Sequence, residues 1–389
     1  MDDMVEEILL RFPSEDPGRL FRASLVSKPW RSLLTSFAFS RRYRQFHRTL
    51  PLLGFFVNNN FGGSRFSPLS PTSPFLPFRS DGRTLVVVDS RHGLVLLKVN
   101  LLWEGENPTL IVWDPVGRRQ WELPPPDMAH TTNTYNDAAV LCAADGCDHL
   151  GCSGGPFLVA YMRTDLYGAV YASVFSSQTR AWSLVTSCQG PGVYFRIISG
   201  KLKAFVGNAL YFMCDPPPMT TILRCDLVSQ ELSMIDGPNV KWDDYVLMTT
   251  DDGGLGCAYV DRFSSMCLWS METHPDGAVA WINHNAVGLE KLLPSPVTRV
   301  INVISFAAGV GVFFLKTEDG IFTIELKSGR VKMVSKSGRV KMVSTSRFGV
   351  TPGCGAWWRS RKYVHPLGVL RHLSLYVVLG MLITPPRIM

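Results

Sequence analysis

Residues able to bind a metal ion are concentrated in one short stretch of the chain. Cys142, Cys147, His149 and Cys152 lie within eleven residues, in the sequence CAADGCDHLGC. Thiolate and imidazole are zinc ligands, but tetrahedral sites usually combine a close pair of ligands with a distant second pair. Four ligands on one loop would strain this geometry. We therefore expect a structural turn with small, partly buried thiols and no metal or cofactor, with zinc as the alternative.

Three motifs of known catalytic sites are missing from the sequence. It contains no Walker loop, no G-x-G-x-x-G and no H-E-x-x-H motif. Asp, His and Ser are so common that a triad could be assembled by eye from almost any chain. The residues thus give no positive indication of catalysis, and we expect a protein that is not an enzyme.

Aromatic side chains offer a second kind of chemistry, the stacking of a ligand. Five tryptophans stand at similar places in a repeated strand-turn-strand pattern: Trp113, Trp121, Trp182, Trp269 and Trp281. Because large aromatic residues dominate protein cores, we predict that they pack between sheets.

Composition indicates a folded chain with reduced thiols. The 389 residues are 46% hydrophobic and 18% charged, and the nine cysteines are too scattered for a disulfide framework. The N-terminus is acidic and lacks an apolar signal core, and the apolar run 373–383 is too short for a membrane helix and predicts a strand or a tail. We expect the nucleus or the cytoplasm, and no membrane partner.

A basic stretch, 41–48, carries much of the net charge of +7. Such a run can attract nucleic acid or act as a nuclear signal. Because charge runs are more often the solvated face of a helix, we expect no nucleic-acid partner.

The element that must organise the chain lies at 4–37. Its apolar residues recur at helical spacing in three short series that begin at Met4, Leu20 and Trp30. A unit of this size lacks the volume to bury all these faces. We therefore predict three helices whose surplus apolar surface is covered by a partner.

These residues also resemble a known family. EEILLRFP and RASLVSKPWRSLL are similar to the F-box, which docks on the Skp-family adaptor of cullin ubiquitin ligases. The family usually has Leu-Pro before the acidic pair, so we expect a first helix that is clipped or begins abruptly. Pro29 replaces the usual basic residue and is tolerated if Ser27 is the N-cap of the third helix. The resemblance implies that the adaptor is contacted by Val5, Ile8, Leu9, Phe12, Pro13, Leu20, Leu25, Val26, Lys28, Trp30, Leu33 and Leu34.

From residue 85 the apolar period becomes that of strands. Strand-turn-strand units recur at 112–121, 174–182, 224–232, 268–281 and 324–331. Their turns lie about 50 residues apart, near the period of a four-stranded kelch blade. We predict an α+β multidomain chain in which a small all-α head precedes an all-β, propeller-like domain of five or six blades. A sixth blade would need the strand at 52–57 to pair with C-terminal residues, and an open sandwich is the alternative.

The β-region resembles a large plant F-box family with a kelch-like, propeller-like second domain, on the segments DSRHGLVLL, VGNALYF, GGLG and TEDGIFTIELKSGRV. We expect an F-box at 1–48, a Pro-rich connector at 49–83, a propeller-like domain at 84–346 and a divergent tail at 347–389. Within the propeller, 327–335 is copied residue for residue as 336–344. Since nine is odd and the side-chain period of a strand is two, only one copy can hold a given register.

Three functions remain open. The family resemblance implies a substrate-recognition subunit of a Skp–cullin–F-box ubiquitin ligase, with the Skp-family adaptor, a cullin and an unidentified target protein as partners. The second possibility is a β-propeller protein-binding module outside any ligase, and the third is a propeller enzyme. Target binding is expected on loops at one end of the propeller, with 127–136, 214–220 and 236–244 as candidates.

Overall fold

A computed structural model describes residues 2–13, 17–47, 52–59, 63–69, 82–99, 108–115, 117–128, 134–144, 147, 149, 155–193, 195–215, 221–238, 245–261, 264–274, 278–293, 301–308, 310–326, 328–336 and 375–379. Among these residues, no helix has both the length and the apolar character needed to cross a membrane.

The N-terminal head contains four helices: α1 (Asp2–Leu10), α2 (Pro17–Ser24), α3 (Lys28–Thr35) and α4 (Phe37–His47). Three were predicted, and the fourth contains the basic stretch. Its Phe39 and Tyr43 are fully buried, whereas Arg41 and Arg42 are exposed. The basic stretch is therefore one face of an amphipathic helix whose other face completes the core of the head.

The third helix begins as predicted. The Ser27 hydroxyl accepts a hydrogen bond from the Trp30 backbone N–H (3.3 Å), and Pro29 lies in the first turn. Proline is tolerated there because the first backbone N–H groups of a helix have no intrahelical acceptor.

The all-β domain contains five antiparallel sheets in chain order, each with the strand sequence of a propeller blade. Blade 1 consists of β3 (Leu85–Arg91), β4 (Leu94–Val99), β5 (Leu110–Asp114) and β6 (Arg119–Glu122). Blade 2 consists of β7 (Tyr135–Cys142), β8 (Phe157–Thr164), β9 (Ala169–Ser176), β10 (Ala181–Trp182) and β11 (Thr186–Gln189). Blade 3 consists of β12 (Arg196–Ile197), β13 (Ala204–Val206), β14 (Ala209–Asp215), β15 (Thr221–Asp226) and β16 (Leu232–Asp236).

Blade 4 consists of β17 (Val246–Thr249), β18 (Leu255–Val260), β19 (Ser265–Thr273) and β20 (Val279–Gly288), followed by a short 3-10 helix (Leu289–Lys291). Blade 5 consists of β21 (Asn302–Ala307), β22 (Val312–Lys316), β23 (Gly320–Glu325) and β24 (Arg330–Lys336). A sixth sheet has three strands, in the order β2 (Gly63–Pro68), β1 (Leu52–Asn59) and β25 (Leu375–Leu379).

Each pair of neighbouring sheets shares an apolar core. The cores between consecutive blades contain Leu96 and Val140, Met162 and Phe212, Tyr211 and Leu247, and Met266 and Phe322. The predicted packing role of the five tryptophans is confirmed. Trp113 lies between blade 1 and the sixth sheet, Trp121 and Trp182 pack between blades 1 and 2, and Trp269 and Trp281 pack between blades 3 and 4.

The sixth sheet closes the ring. Leu53 and Phe56 of β1 pack with Val87 and Trp113 of blade 1, whereas Phe55 and Val57 pack with Phe314 and Ile321 of blade 5. The second partner of β1 is β25, which pairs antiparallel with it. Successive side chains of a strand point to opposite faces, and a register irregularity between Leu52 and Gly54 allows Leu53 to face the same side as Phe56. One strand therefore covers both neighbouring blades. This arrangement excludes the open sandwich.

Two segments outside the predicted limits of the β-domain thus contribute strands to it. The predicted connector supplies β1 and β2, and the predicted tail supplies β25. Residues 52–57 and 375–379 are apolar in sequence, and strands of this kind are typically buried on both faces. Their place in the ring agrees with that character. The domain boundaries otherwise stay a prediction.

The same turn geometry recurs in four blades between the third and fourth strands in sheet order, which are β5–β6, β9–β10, β15–β16 and β23–β24. Four residues after the third strand ends, the backbone is left-handed, at Arg118 (φ 52°), Arg180 (φ 54°), Gln230 (φ 58°) and Gly329 (φ 65°). The first residue of the turn can hold it closed, as where Asp226 Oδ1 accepts from the backbone N–H groups of Val228 (3.0 Å) and Ser229 (3.1 Å). This turn is the physical basis of the sequence repeat.

A buried ion pair joins three blades near their inner strands. Lys203 Nζ lies 2.8 Å from Asp137 Oδ1, with each side chain 1% exposed, and donates to the Val88 carbonyl (2.8 Å). Arg91 donates in turn to the Lys203 carbonyl (2.9 Å). Burial raises the pKa of the Asp137 carboxyl, and the Lys203 ammonium opposes that effect.

Candidate functional site

The surface of the head retains large apolar side chains in water. On α1, Met4 and Ile8 are 72% and 57% exposed and lie one turn apart. At the turn between α2 and α3, Leu25 and Val26 are 61% and 67% exposed. We call these four residues the head patch. They remain outside a core that is already complete around Leu9 and its neighbours.

Contacts between α1 and α4 fix the direction in which the α1 part of the head patch faces. Tyr43 Oη donates to the Phe12 carbonyl (2.7 Å), and His47 Nε2 lies 2.7 Å from the Leu10 carbonyl. Arg42 forms ion pairs with Glu6 (2.8 Å) and Glu7 (2.7 Å). Hydrogen bonds from Arg11 and then Arg42 lower the pKa of the Glu7 carboxyl.

The structure divides the twelve predicted adaptor-contacting residues into three groups. Leu9, Leu20 and Leu34 are fully buried in the head's own core, where a docking partner would not reach them. Val5, Phe12, Pro13, Trp30 and Leu33 are half-buried, and Ile8, Leu25, Val26 and Lys28 are exposed. The three buried leucines belong to the core because the fourth helix, which was not predicted, covers them.

Among the described residues of the head, two large exposed apolar side chains are missing from the predicted set. Met4 shares a helix face with Ile8, and Phe46 on α4 is 53% exposed. The spacing of Met4 and Ile8, four apart on one helix, was a usable signal. Phe46 gave none without knowledge of α4.

The predicted target-binding loops are flanked by strand ends on the same end of the ring. Tyr135 begins β7, Asp215 ends β14 and Asp236 ends β16. Arg196 connects the first two, since it donates to Tyr135 Oη (2.9 Å) and forms an ion pair with Asp215 (2.8 Å). Asp236 pairs with Thr221, the residue that begins β15. We call this end of the ring the Tyr135 end. Residues 129–133, 216–220 and 239–244 of the predicted loops lie outside the described residues.

The thiol-rich stretch lies at the opposite end, where β7 finishes. One ligand atom each of Cys142, Cys147 and His149 lies within 4.8 Å of the other two. The His149 ring stacks on His92 of blade 1, with centroids 3.9 Å apart and planes 8° from parallel. We expected four ligands on this loop to strain tetrahedral geometry, and that prediction concerns Cys152 as well. For the other three, the left-handed backbone of His149 (φ 57°) is compatible with their convergence. Cys152 is outside the described residues.

His92 supports this cluster from the neighbouring blade. Its Nδ1 accepts a hydrogen bond from the Cys142 backbone N–H (3.1 Å). Burial lowers the pKa of His92 to about 2, with Arg91 as the next cause, so its ring is neutral and able to accept.

Comparison with known proteins identifies the head. The family model of the F-box domain matches residues 2–42. No curated protein sequence matches the chain significantly.

Solved structures of low similarity include TolB from Acinetobacter baumannii, which is 14% identical with a TM-score of 0.36 and is covered over 53% of its length by 63% of this chain. A puromycin-hydrolyzing peptidase of Mycobacterium tuberculosis is 12% identical with a TM-score of 0.37, and 73% of this chain covers 45% of it. An extracellular domain from B. thetaiotaomicron is 12% identical with a TM-score of 0.34, and 67% of this chain covers 29% of it. The chain therefore spans between 29% and 53% of these solved chains, and likeness at this level says nothing about function. The molecule carries an N-terminal F-box domain followed by an all-β domain with a propeller-like arrangement of five blades.

Proposed function

We propose that this protein is a substrate-recognition subunit of a Skp–cullin–F-box ubiquitin ligase. The F-box would dock on a Skp-family adaptor and through it on a cullin, and the β-domain would bind a target protein. The observation that carries the proposal is the head patch, which a fully packed F-box domain leaves in water. The nucleus or the cytoplasm, where such ligases act, is the corresponding location.

The energetics of the head patch favour a protein partner. Scattered exposed apolar residues are normal on protein surfaces, but four of them fall here within 23 residues of a four-helix unit. Full burial of one large aliphatic side chain contributes about 1.5–3 kcal/mol. Covering the patch therefore gives a partner a substantial gain in free energy.

The adaptor contacts proposed from the sequence are refined by burial. Direct contact is assigned to the exposed Ile8, Leu25, Val26 and Lys28 and to the half-buried Val5, Phe12, Pro13, Trp30 and Leu33, with Met4 added. Leu9, Leu20 and Leu34 support this surface from inside the head.

The proposed mechanism is proximity without catalysis by this chain. A target held at the Tyr135 end would present its lysines to a cullin-bound ubiquitin-conjugating enzyme at high effective concentration. The blade repeat and the motifs quoted above support the narrower placement among plant F-box proteins with a kelch-like second domain.

The docking experiment uses the full chain co-expressed with a Skp-family protein. Ile8→Arg and Leu25→Arg each replace an exposed side chain, so the head should still fold. Loss of one buried aliphatic contact should weaken the dissociation constant about 10- to 100-fold, as measured by co-purification and titration.

The matched control is Val228→Arg, a substitution on a blade 3 turn at a side chain that is 75% exposed. It should bind the adaptor like the wild type. Unchanged adaptor binding by both head-patch variants would refute the proposed docking surface and favour a propeller module that works without a ligase.

A further inference from the structure

We propose that Cys142, Cys147 and His149 form a zinc-binding site on the connection between β7 and β8. The inference is independent of adaptor docking, because the site lies on the propeller, at the end of the ring opposite the Tyr135 end. Thiolate and imidazole together select zinc among the abundant divalent ions, since calcium and magnesium prefer oxygen ligands.

The distances suit tetrahedral coordination. Zinc lies about 2.3 Å from a thiolate sulfur and about 2.0–2.1 Å from an imidazole nitrogen, so neighbouring ligand atoms of a tetrahedron are about 3.5–3.8 Å apart. The three ligand atoms here are all within 4.8 Å of one another. Ligand atoms at the outer limit of this range would have to approach one another by about 1 Å to bind zinc.

The backbone around Cys142 is arranged as in a thiolate site. The Ala144 backbone N–H donates to Cys142 Sγ (3.4 Å), and the Cys147 backbone N–H donates to the Ala144 carbonyl (3.3 Å). A backbone donor aimed at sulfur stabilises the charged thiolate that binds a metal. The turn thus brings the second cysteine back towards the first.

The neighbouring blade holds two of the three ligands in place. His92 stacks on the His149 ring and accepts from the Cys142 N–H, and Cys142 is also paired with Phe157 in the ladder between β7 and β8. Outer contacts that orient ligands are a regular part of metal sites. The described residues provide three ligands, so the fourth coordination position is open to a further donor. Zinc here would fasten the β7–β8 connection to blade 1.

The first experiment measures the zinc content of the purified full chain by inductively coupled plasma mass spectrometry. The protein is first equilibrated against metal-free buffer that contains a weak chelator. About one zinc per chain is expected. Cys147→Ser and His149→Ala should each lose most of it. The control Cys188→Ser changes a half-buried cysteine of the same blade and should retain zinc.

A second measurement separates loss of ligand from loss of fold. Wild-type protein stripped with a strong chelator is titrated with Co²⁺, and a thiolate-to-cobalt charge-transfer band with intense visible bands of tetrahedral cobalt is expected. The same titration of Cys147→Ser, checked for native circular dichroism, should give a weaker charge-transfer band. Any of three results would overturn the site. The wild-type protein could contain no zinc and give no cobalt band, or all variants could contain equal zinc. The third is a disulfide between Cys142 and Cys147 in protein purified under reducing conditions.

Discussion

Single residues in left-handed conformation decide the geometry of the blade turns. Gln230 and Gly329 occupy the same place in blades 3 and 5 and have φ of 58° and 65°. A residue with a Cβ is strained in this region by about 1–2 kcal/mol, whereas glycine is not. A Cβ added at Gly329 would meet nothing within 4 Å, so conformation alone determines the effect of substitution there.

Opposite changes in stability are therefore expected at these two positions. Gln230→Gly should raise the free energy of unfolding by up to about 1 kcal/mol, and Gly329→Ala should lower it by about 1 kcal/mol. Urea unfolding measures both. Gly288→Ala, at φ −65° and in open space, is the control and should not destabilise. Equal effects of Gly329→Ala and Gly288→Ala would contradict the explanation.

The same turns show how far residues predict structure. The repeat of Asp114 and Asp226 at the ends of third strands was readable because turn chemistry is local. The pair of Asp137 and Lys203 was not, since its members are far apart in the chain and meet only after three blades have assembled. Convergence of Cys142, Cys147 and His149 was not predicted either, because spacing alone does not reveal a left-handed residue or a stacking ring from another blade.

At the scale of elements, the head contains a helix whose solvated charged face was expected but whose buried apolar face was not. The stretch 41–48 was judged by its charge, although Phe39 and Tyr43 on the same helix are fully buried. Helix α3 was predicted with its cap because Ser27 and Pro29 act within one turn. The strands of the blades were predictable from the alternation of apolar residues, whereas their closure into a ring depended on pairing between distant segments.

The duplicated segment provides the prediction at this scale. Strand β24 is built from the first copy, Lys327–Ser335, with one residue of the second. Deleting either copy produces the same sequence, so the fourth strand of blade 5 keeps its residues except Lys336, which Thr345 replaces. The chain between β24 and β25 becomes nine residues shorter, which changes loop-closure entropy by only a few tenths of a kcal/mol.

We therefore expect the single-copy protein to unfold at nearly the wild-type urea concentration. The matched control deletes both copies, 327–344, and should be clearly less stable because blade 5 loses the partner of β23. A single-copy protein as unstable as this control would mean that the second copy contributes to the fold.

At the scale of the whole molecule, the sheet formed by β2, β1 and β25 closes the ring between blade 5 and blade 1. Strand β1 pairs with β2 on one side and with β25 on the other, and it packs on blades 1 and 5. Without β25, one edge of β1 has unpaired backbone groups, and such an edge favours association with other chains.

Truncation after Ser374 should expose that edge. We expect the midpoint of thermal unfolding to fall by about 3 °C, which corresponds to roughly 2 kcal/mol for a β-domain that extends from Leu52 to Leu379. Self-association in size-exclusion chromatography should increase. Truncation after Gly380 keeps β25 and serves as the control. Identical melting of both truncated proteins would show that ring stability does not depend on β25.

Pairing of β1 with β25 also sets an order of events during biosynthesis. The head and β1 emerge from the ribosome early, but β1 waits for its second neighbour until more than 300 further residues have been translated. Domains generally fold as units while translation proceeds, so the F-box head can fold on a nascent chain whose ring is still open. During that interval, the apolar face of β1 that later packs on blade 5 is uncovered, so we expect β1 to bind chaperones.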